Sequence, residues 1–467
     1  MSRHKGAIMS TLLVVGGVAA GMSAASKAKR LDPSLNVIAL EKSPYVSYGA
    51  CGMPYNLLRP DDPMESMVVI TPEQFRTKRG IDARTNMEVL EIDAYNHTVK
   101  AKNLVSGELS TFQWDSLVYS TGAHSIKPAW PGIELEGVLT LRDLVDGKAV
   151  KDYLARKAPK RAAIIGGGYI GLEMADVFTE LGIEVTVIEK LPSIMPGWEP
   201  EIVKPVHVAL EKGGVILLEG VTVTGFEGSN GQVKAVLTDG PTIPTDVVLV
   251  AIGVRPTVDL AVNAGIKLGP TGAVAVDREM RTNIPGIWAA GDCAEQWHRV
   301  LQRPAYVPLG TNANKQGRIA GENAVGGHVA WEGMIGTSVF KTLGADAART
   351  GIGRAEAKDA GIDVAVSMID AFDQAHGMPG RKPMRVILIS RKDNGQLLGA
   401  QLVGAGVAKR VDILATAIWA EMTVKDVGNL DLAYAPPFSP VWDPVIVAAN
   451  IAEKDVDPNG LECRFCK

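Results

Sequence analysis

Thr11-Leu12-Leu13-Val14-Val15-Gly16-Gly17-Val18-Ala19-Ala20-Gly21 decides how the rest of the chain is read. Thr11 to Val15 is a short continuous apolar run, the pattern of a strand buried on both faces. Glycines stand at 16, 17 and 21, and an Ala-rich segment of helix-forming composition runs on to Arg30. Asn36 to Leu40 is a second apolar run, and Glu41 ends it, 20 residues past Gly21. A strand, a glycine turn, a helix and a strand with a terminal acid make a dinucleotide unit. The glycines let a helix N-terminus meet a pyrophosphate, and the acid accepts hydrogen bonds from ribose hydroxyls. Val18 holds the middle glycine position, so this copy taken alone also fits a βαβ unit that binds nothing.

A second copy changes the weight of the first. Arg161 to Ile165 reads as a strand, Gly166-Gly167-Gly168-Tyr169-Ile170-Gly171 carries the full glycine pattern, and Glu189 ends Val185 to Ile188. Gly16 and Gly166 lie 150 residues apart, as do Gly21 and Gly171. Two such units point to two dinucleotides.

Composition bounds the rest. A chain of 467 residues with 46% apolar and 21% charged side chains exceeds one ordinary core and is not disordered, so two to four domains are expected. Forty-eight Lys and Arg against 52 Asp and Glu give a net charge of −4, which argues against a general nucleic-acid binder. No apolar run reaches the roughly 18 residues of a membrane span. The basic start Met1-Ser2-Arg3-His4-Lys5 precedes Ile8 to Val15 as in a signal peptide. The apolar run continues into Gly16 without a cleavage-like end, however, so it reads as a first strand. Four cysteines (Cys51, Cys293, Cys463 and Cys466) are too scattered for a disulfide framework, and a reducing cytoplasm is expected.

Further strand ends follow the two units. Leu117-Val118-Tyr119-Ser120-Thr121-Gly122-Ala123, Val247 to Ile252 with Gly253, and Ile287-Trp288-Ala289-Ala290-Gly291-Asp292 are apolar runs closing on glycine. Asp292 suits a polyol or ribose, and equally a helix cap. From about Trp331 the character changes. Asp393-Asn394-Gly395 between Arg385–Ser390 and Leu397–Val403 signals a hairpin. Val411, Leu414, Ile418 and Met422 have helical spacing. Leu430 to Pro440 reads as a Pro-rich loop and Val445 to Ile451 as a last apolar segment. The fold class is therefore α/β, with two Rossmann-like, doubly wound nucleotide-binding domains and an α+β C-terminal dimerisation domain. The expected bounds are 8–124 and 257–330 for the FAD-binding domain, 125–256 for the NAD(P)H-binding domain, 331–452 for the dimerisation domain and 453–467 for a Cys-containing tail.

With these pieces placed, the chain resembles the FAD-dependent pyridine nucleotide-disulfide oxidoreductases over nearly its whole length. It is most similar to the single-cysteine branch of coenzyme A-disulfide and persulfide reductases. The motifs that carry the resemblance are Gly16–Gly21 with Glu41, Ser47-Tyr48-Gly49-Ala50-Cys51-Gly52-Met53-Pro54-Tyr55, Ser120–Ala123, Gly166–Glu189, Gly253–Pro256, Gly286–Asp292 and Tyr434–Ser439. The resemblance implies an FAD site at Gly16, Gly17, Val18, Ala19, Gly21, Glu41, Lys42, Ser120, Thr121, Gly122, Gly291 and Asp292. It implies a nicotinamide site at Gly166, Gly168, Tyr169, Ile170, Gly171, Glu173, Glu189 and Gly253. Glu189 favours NADH, and Lys190 softens that preference. Tyr169 is implied as an aromatic gate, against the plainer reading of a packed tyrosine.

Cys51 is the implied redox residue. No second cysteine follows it nearby, so its partner is a bound thiol, coenzyme A in this branch. The helix start at Pro54 is expected to depress its pKa. Tyr434 is implied as the acid that reaches the other subunit's site in a homodimer. Ser47, Lys27, Lys29 and Arg30 are implied at coenzyme A, although a solvated basic helix face explains the three cations equally well. The implied substrates are coenzyme A disulfide, a persulfide or a polysulfide, which places the chain in sulfur metabolism.

Several positions depart from the pattern. Ala19 stands where sulfenic-acid oxidases and peroxidases carry histidine, which weakens that alternative. Ala50 replaces the usual asparagine, and no tyrosine stands near Ala375–Gly380, where His376 is the nearest substitute. Cys463-Arg464-Phe465-Cys466 reads as a redox dithiol serving a protein partner or as an incidental tail. A zinc site would need ligands from elsewhere. A flavin redox sensor using that tail is the remaining alternative.

Overall fold

The two glycine units build two parallel sheets. The computed structural model describes residues 10–461. In the first sheet the strands run Ile287–Ala289, Ser116–Tyr119, Thr11–Val15, Asn36–Leu40 and Asp82–Arg84, all parallel. In the second they run Ile216–Glu219, Glu184–Glu189, Arg161–Ile165, Val247–Val250 and Val138–Leu139, again all parallel. Leu12, Leu13, Val14, Ala163 and Ile164 are fully buried, as the unbroken apolar runs require of strands covered on both faces. The first sheet takes its edge strand from beyond residue 256. The strands of the second sheet thus fall in sequence between the early strands of the first and its edge strand Ile287–Ala289.

The expected secondary structure holds with two adjustments. The helices Ala19–Leu31 and Tyr169–Glu180 follow their glycine turns. The run from Val247 stops as a strand at Val250. The helix bearing Val411, Leu414 and Ile418 spans Val407–Trp419 and leaves Met422 outside. Glu421 takes a left-handed φ of 55°, and the chain folds back so that the Met422 N–H reaches the Ala417 carbonyl at 2.9 Å.

The C-terminal unit is a five-stranded antiparallel sheet. Its order is Ser338–Phe340, Ala347–Gly351, Leu397–Gly404, Pro383–Arg391 and Val364–Phe372. The Asp393-Asn394-Gly395 turn joins the third and fourth strands in that order. The Pro-rich segment before residue 443 is irregular, and the last apolar run is the helix Pro444–Ala452.

One buried ion pair pins the irregular segment. Arg410 is 1% exposed, and its Nε and Nη2 lie 3.2 and 3.1 Å from the Asp443 carboxylate. Nη1 and Nη2 also donate to the carbonyls of Gly406 and Asp373. Asp443 accepts from the Ser439 hydroxyl and caps Pro444–Ala452 through the Val445 N–H. Removing one partner of such a pair strands the other charge in the core. Arg410→Met is expected to cost about 3–5 kcal/mol in denaturant unfolding. The double variant Arg410→Met with Asp443→Asn is expected to recover a large part of that loss.

Candidate functional site

The two turns are built alike except at Val18, where the second has Gly168. Gly16 and Gly166 take φ of +101° and +108°, and a Cβ on either would meet a carbonyl oxygen, of Ser120 at 2.2 Å and of Ala251 at 2.5 Å. A Cβ on Gly21 or Gly171 would strike the Gly16 or Gly166 carbonyl at 1.8 or 2.0 Å, so only glycine lets each helix seat on its turn. The Gly17 N–H donates to Glu41 Oε2 at 2.7 Å, and the Gly167 N–H donates to Glu189 Oε2 at 2.7 Å. The other carboxylate oxygens accept from Ser43 and Leu191, both at 2.8 Å. Each acid thus fixes its turn and keeps lone pairs for a ligand hydroxyl.

Both helices begin without a side-chain cap, which leaves first-turn N–H groups facing the glycine loop. At the second turn this region borders a cavity of about 1280 Å³ lined by Gly166, Gly168, Tyr169, Ile170, Glu189 and Gly253. Tyr169 and Ile170 remain 40% and 38% exposed, unusual for large apolar side chains at the start of a core helix. The Tyr169 ring packs against Trp198 and Phe340, with centroids 6.4 and 5.6 Å away. The gate position is therefore partly packed and partly open.

At the first turn the second half of the unit closes over the helix. Gly291 lies where a Cβ would come 2.8 Å from Ala20 Cβ, and its N–H donates to the buried Gln316 side chain. Helix Gly310–Asn323 approaches Ala19–Leu31 through Gly317 and Gly321, where a Cβ would meet the Ala20 and Ala24 carbonyls at 2.2 Å. Ser120 braces the turn, and Thr121 and Gly122 tie the two halves together. Ser120 Oγ donates to the Val15 and Gly16 carbonyls, Thr121 Oγ1 donates to the Thr257 carbonyl at 2.7 Å, and the Thr257 N–H donates to Gly122. Asp292 then sits beside the turn, with Oδ2 on Arg142 Nη2 at 2.6 Å. An uncapped helix, a glycine cradle, Glu41 and Asp292 in one cleft fit a bound FAD.

Cys51 lies in the adjoining stretch, in a 3₁₀ turn, Ala50–Gly52, that leads into the short helix Met53–Leu57. Ser47, just upstream, takes a left-handed φ of 49°, uncommon outside glycine and typical of functional turns. Its backbone is held on both sides, by the Gly17 carbonyl and the Val69 N–H. Lys151 braces the far end of the stretch. Its Nζ donates to Asn56 Oδ1 at 2.8 Å and to the carbonyls of Asn56, Arg59 and Asp62.

The expected depression of the Cys51 pKa is not found. Cys51 is exposed at the surface, but protein crowds its sulfur, and that burial pushes the thiol up. The negative charge of Glu173 adds to the shift, while Arg142 draws it back. A helix of five residues supplies too small a dipole to outweigh a carboxylate. Glu173 accepts from the Tyr55 hydroxyl at 2.7 Å, and burial raises its own pKa. It therefore stands at the redox stretch as well as beside the nicotinamide turn. Cys293, in contrast, is fully buried against the Tyr119 and Ala290 carbonyls, and burial pushes it up to about 11. Cys463 and Cys466 lie outside the described residues.

Lys42, Lys27 and Lys29 have partners of their own. Lys42 pairs with Glu88 at 2.7 Å and Lys27 with Glu322 at 3.0 Å. Lys29 donates to the Pro33 and Leu35 carbonyls, and Arg30 is exposed beside it. Lys27, Lys29 and Arg30 occupy the end of their helix opposite the glycine turn. Tyr434 is 49% exposed on the irregular segment. Arg142 and Lys151 carried no sequence signal, because no motif marks a side chain that meets this stretch from a separate loop or helix; Tyr55 stood in the quoted motif without a role of its own.

The comparisons agree with this architecture. Residues 10–317 match the pyridine nucleotide-disulphide oxidoreductase family model, and residues 337–444 match that family's dimerisation domain. The chain belongs to this family, whose members use FAD and NAD(P)H. It is 37% identical over 445 residues to a coenzyme A-dependent NAD(P)H sulfur oxidoreductase of Pyrococcus abyssi, covering 95% of this chain and 98% of that one. Among solved structures it is similar to a reduced CoADR-RHD of Bacillus anthracis, with TM-score 0.92, 36% identity and coverage of 96% and 81% of the two chains. It is also similar to an NAD-dependent persulfide reductase of A. fulgidus, with TM-score 0.91, 38% identity and coverage of 95% and 83%.

If Glu173 holds the thiol up, Glu173→Gln moves the pH profile of Cys51 alkylation to lower pH. The rate of iodoacetamide labelling measured from neutral to alkaline pH, with labelled Cys51 quantified by peptide mapping, checks this. An unmoved profile would assign the shift to burial and Asp292 without Glu173.

Proposed function

We propose that the chain couples oxidation of NAD(P)H to reduction of a sulfur–sulfur bond in coenzyme A disulfide, coenzyme A persulfide or a polysulfide, with Cys51 as its single redox cysteine. The observation that carries this reading is the position of Cys51. It is an exposed thiol in the turn Ala50–Gly52 that follows the first nucleotide unit, with Glu173, Arg142 and Asp292 as the charges acting on it. The other described cysteine is buried and inert. Bound FAD supplies the two-electron link between nicotinamide and sulfur. The chain's part is to bind and orient. The first-turn N–H groups near Gly16–Gly21 and Gly166–Gly171 hold pyrophosphates, and Tyr169 covers the nicotinamide cavity. Once freed from its proton, Cys51 attacks a substrate sulfur and holds one half as a mixed disulfide until two electrons release it.

Glu189 supports NADH over NADPH. Its carboxylate is fixed at the ribose end of the turn, where a 2′-phosphate would meet negative charge. The expected domain bounds are retained as proposed: the strands of the first parallel sheet lie in 8–124 and 257–330, those of the second in 125–256, and the ribbon of Ala123–Ser125 with Val254–Pro256 lies across the junction. The C-terminal unit supports a homodimer. Phe438, Val441 and Trp442 are 71%, 67% and 63% exposed beside Tyr434, an apolar surface that suits a second copy of the chain. In that dimer Tyr434 would serve the partner's cleft. Among the described residues no helix is long and apolar enough to cross a membrane, and a cytoplasmic setting suits a working thiol.

Mass spectrometry of the denatured, unreduced protein tests the reading. The expected result is a coenzyme A adduct on Cys51 that dithiothreitol removes. A sulfenic acid at Cys51 in its place would redirect the assignment to a peroxide- or oxygen-reducing enzyme.

A further inference from the structure

The stretch that carries Cys51 is held at two ends by different parts of the chain. At its base the Ser47 N–H donates to the Gly17 carbonyl at 3.0 Å, on the first glycine turn. Tyr48 bridges Val68, and the N–H groups of Gly49 and Val69 donate to the Met67 and Ser47 carbonyls, so 47–69 closes on itself as a loop. Its far end rests on Lys151. The ammonium meets Asn56 Oδ1 at 2.8 Å, the carbonyls of Asn56 and Arg59 at 3.2 and 2.7 Å, and the carbonyl of Asp62. All four partners are neutral oxygens, and three belong to the backbone. A compact ammonium suits such a convergence of acceptors, and the flat fork of an arginine does not.

The anchor is itself fixed. Lys151 lies on the helix Leu144–Lys157, which Asp143 caps by accepting the Asp146 N–H at 2.9 Å. The Tyr153 hydroxyl donates to the Asp246 carbonyl at 2.7 Å, beside the strand Val247–Val250 of the second sheet. Gly147 and Lys151, four positions apart, share one face of this helix. A Cβ at Gly147 would come 2.8 Å from Met53 Sδ and 3.2 Å from Met64 Sδ, so the loop lies directly on that face. Met53 stands two residues past Cys51 and begins the helix Met53–Leu57, in which Asn56 is fully buried. A shift at Asn56 therefore reaches the sulfur through a single helical turn.

We propose that Lys151 is a positioning residue for Cys51, its ammonium holding the far end of the loop so that the sulfur keeps its place when electrons arrive. The proposal rests on the disulfide-reducing reading above. The step it serves is Cys51–S–S–R + NADH + H⁺ → Cys51–SH + R–SH + NAD⁺. The S–S bond breaks, NADH gives up a hydride, and the second proton comes from water. Lys151 touches no reacting atom. It acts through the loop, and small displacements at a reacting centre cost rate steeply.

The full-length, FAD-loaded protein tests this in single turnovers. Cys51 is first converted to a mixed disulfide with 2-mercaptoethanol, a small neutral thiol. NADH is then added, flavin reduction is followed by absorbance, and loss of the Cys51 adduct is timed by acid quench and peptide mapping. Lys151→Met and Lys151→Ala are each expected to reduce flavin at the wild-type rate and to release the thiol at least about tenfold more slowly. Adding n-propylammonium, the part of the side chain that alanine lacks, restores most of the release rate of Lys151→Ala. Lys151→Met, whose side chain fills the space, stays slow, and tetramethylammonium, a cation without a donor, restores neither. If either variant fails to fold, Lys151→Gln takes its place, with slowed release and normal flavin reduction expected. Release at the wild-type rate in the variants, slowing of flavin reduction and release alike, or equal recovery with tetramethylammonium overturns the assignment. If wild-type protein reduces its flavin yet keeps the thiol, the functional reading itself fails, and the assignment with it.

Discussion

Two carboxylates set the architecture. Glu41 and Glu189 each close a strand onto a glycine turn by accepting the N–H of the second glycine at 2.7 Å. The turn can accept that clamp only because a Cβ at Gly16, Gly21, Gly166 or Gly171 would collide with backbone. With strand, turn and helix locked together, an uncapped helix start faces the glycine loop in each unit. The second half of the first unit then closes over its helix through Gly291, Gly317 and Gly321. The cleft that holds Cys51 is a consequence of this double construction, since its charged neighbours come from both units. Glu173 belongs to the helix after the second turn, and Asp292 lies beside the first.

Much of this was legible in the sequence. The apolar runs marked the central strands because a strand buried on both faces has no polar alternation to hide it. The glycines marked the turns because no other residue fits there. Long-range electrostatics were not legible. Pro54 suggested a helix dipole that would lower the Cys51 pKa. The helix proves to be five residues long, and Glu173, 122 positions away in sequence, acts in the opposite direction. Lys27 and Lys29 read as free cations, but Glu322 and two carbonyls occupy them, partners that only the folded chain brings near. Arg142 went unseen because its role depends on meeting Asp292, 150 residues further on.

The same geometry divides the chemistry between units. The first unit offers the Cys51 stretch and one glycine cradle, and the second offers the cavity beside the other cradle and the acid Glu173. The C-terminal unit supplies Phe340 to the aromatic cluster under Tyr169, and the exposed segment around Tyr434. The buried Arg410–Asp443 pair holds that segment from beneath, and the Ala375 N–H meets the Pro436 carbonyl at 3.1 Å. The loop carrying His376 and the loop carrying Tyr434 are thereby fixed at one end of the unit.

The central claim is that electrons reach substrate sulfur through Cys51 alone. Cys51→Ser in the full-length, FAD-loaded protein tests it by stopped-flow and steady-state kinetics. The account predicts flavin reduction by NADH at the wild-type rate and loss of disulfide and persulfide turnover by at least about a hundredfold. Turnover of either substrate at the wild-type rate by the serine variant would contradict it.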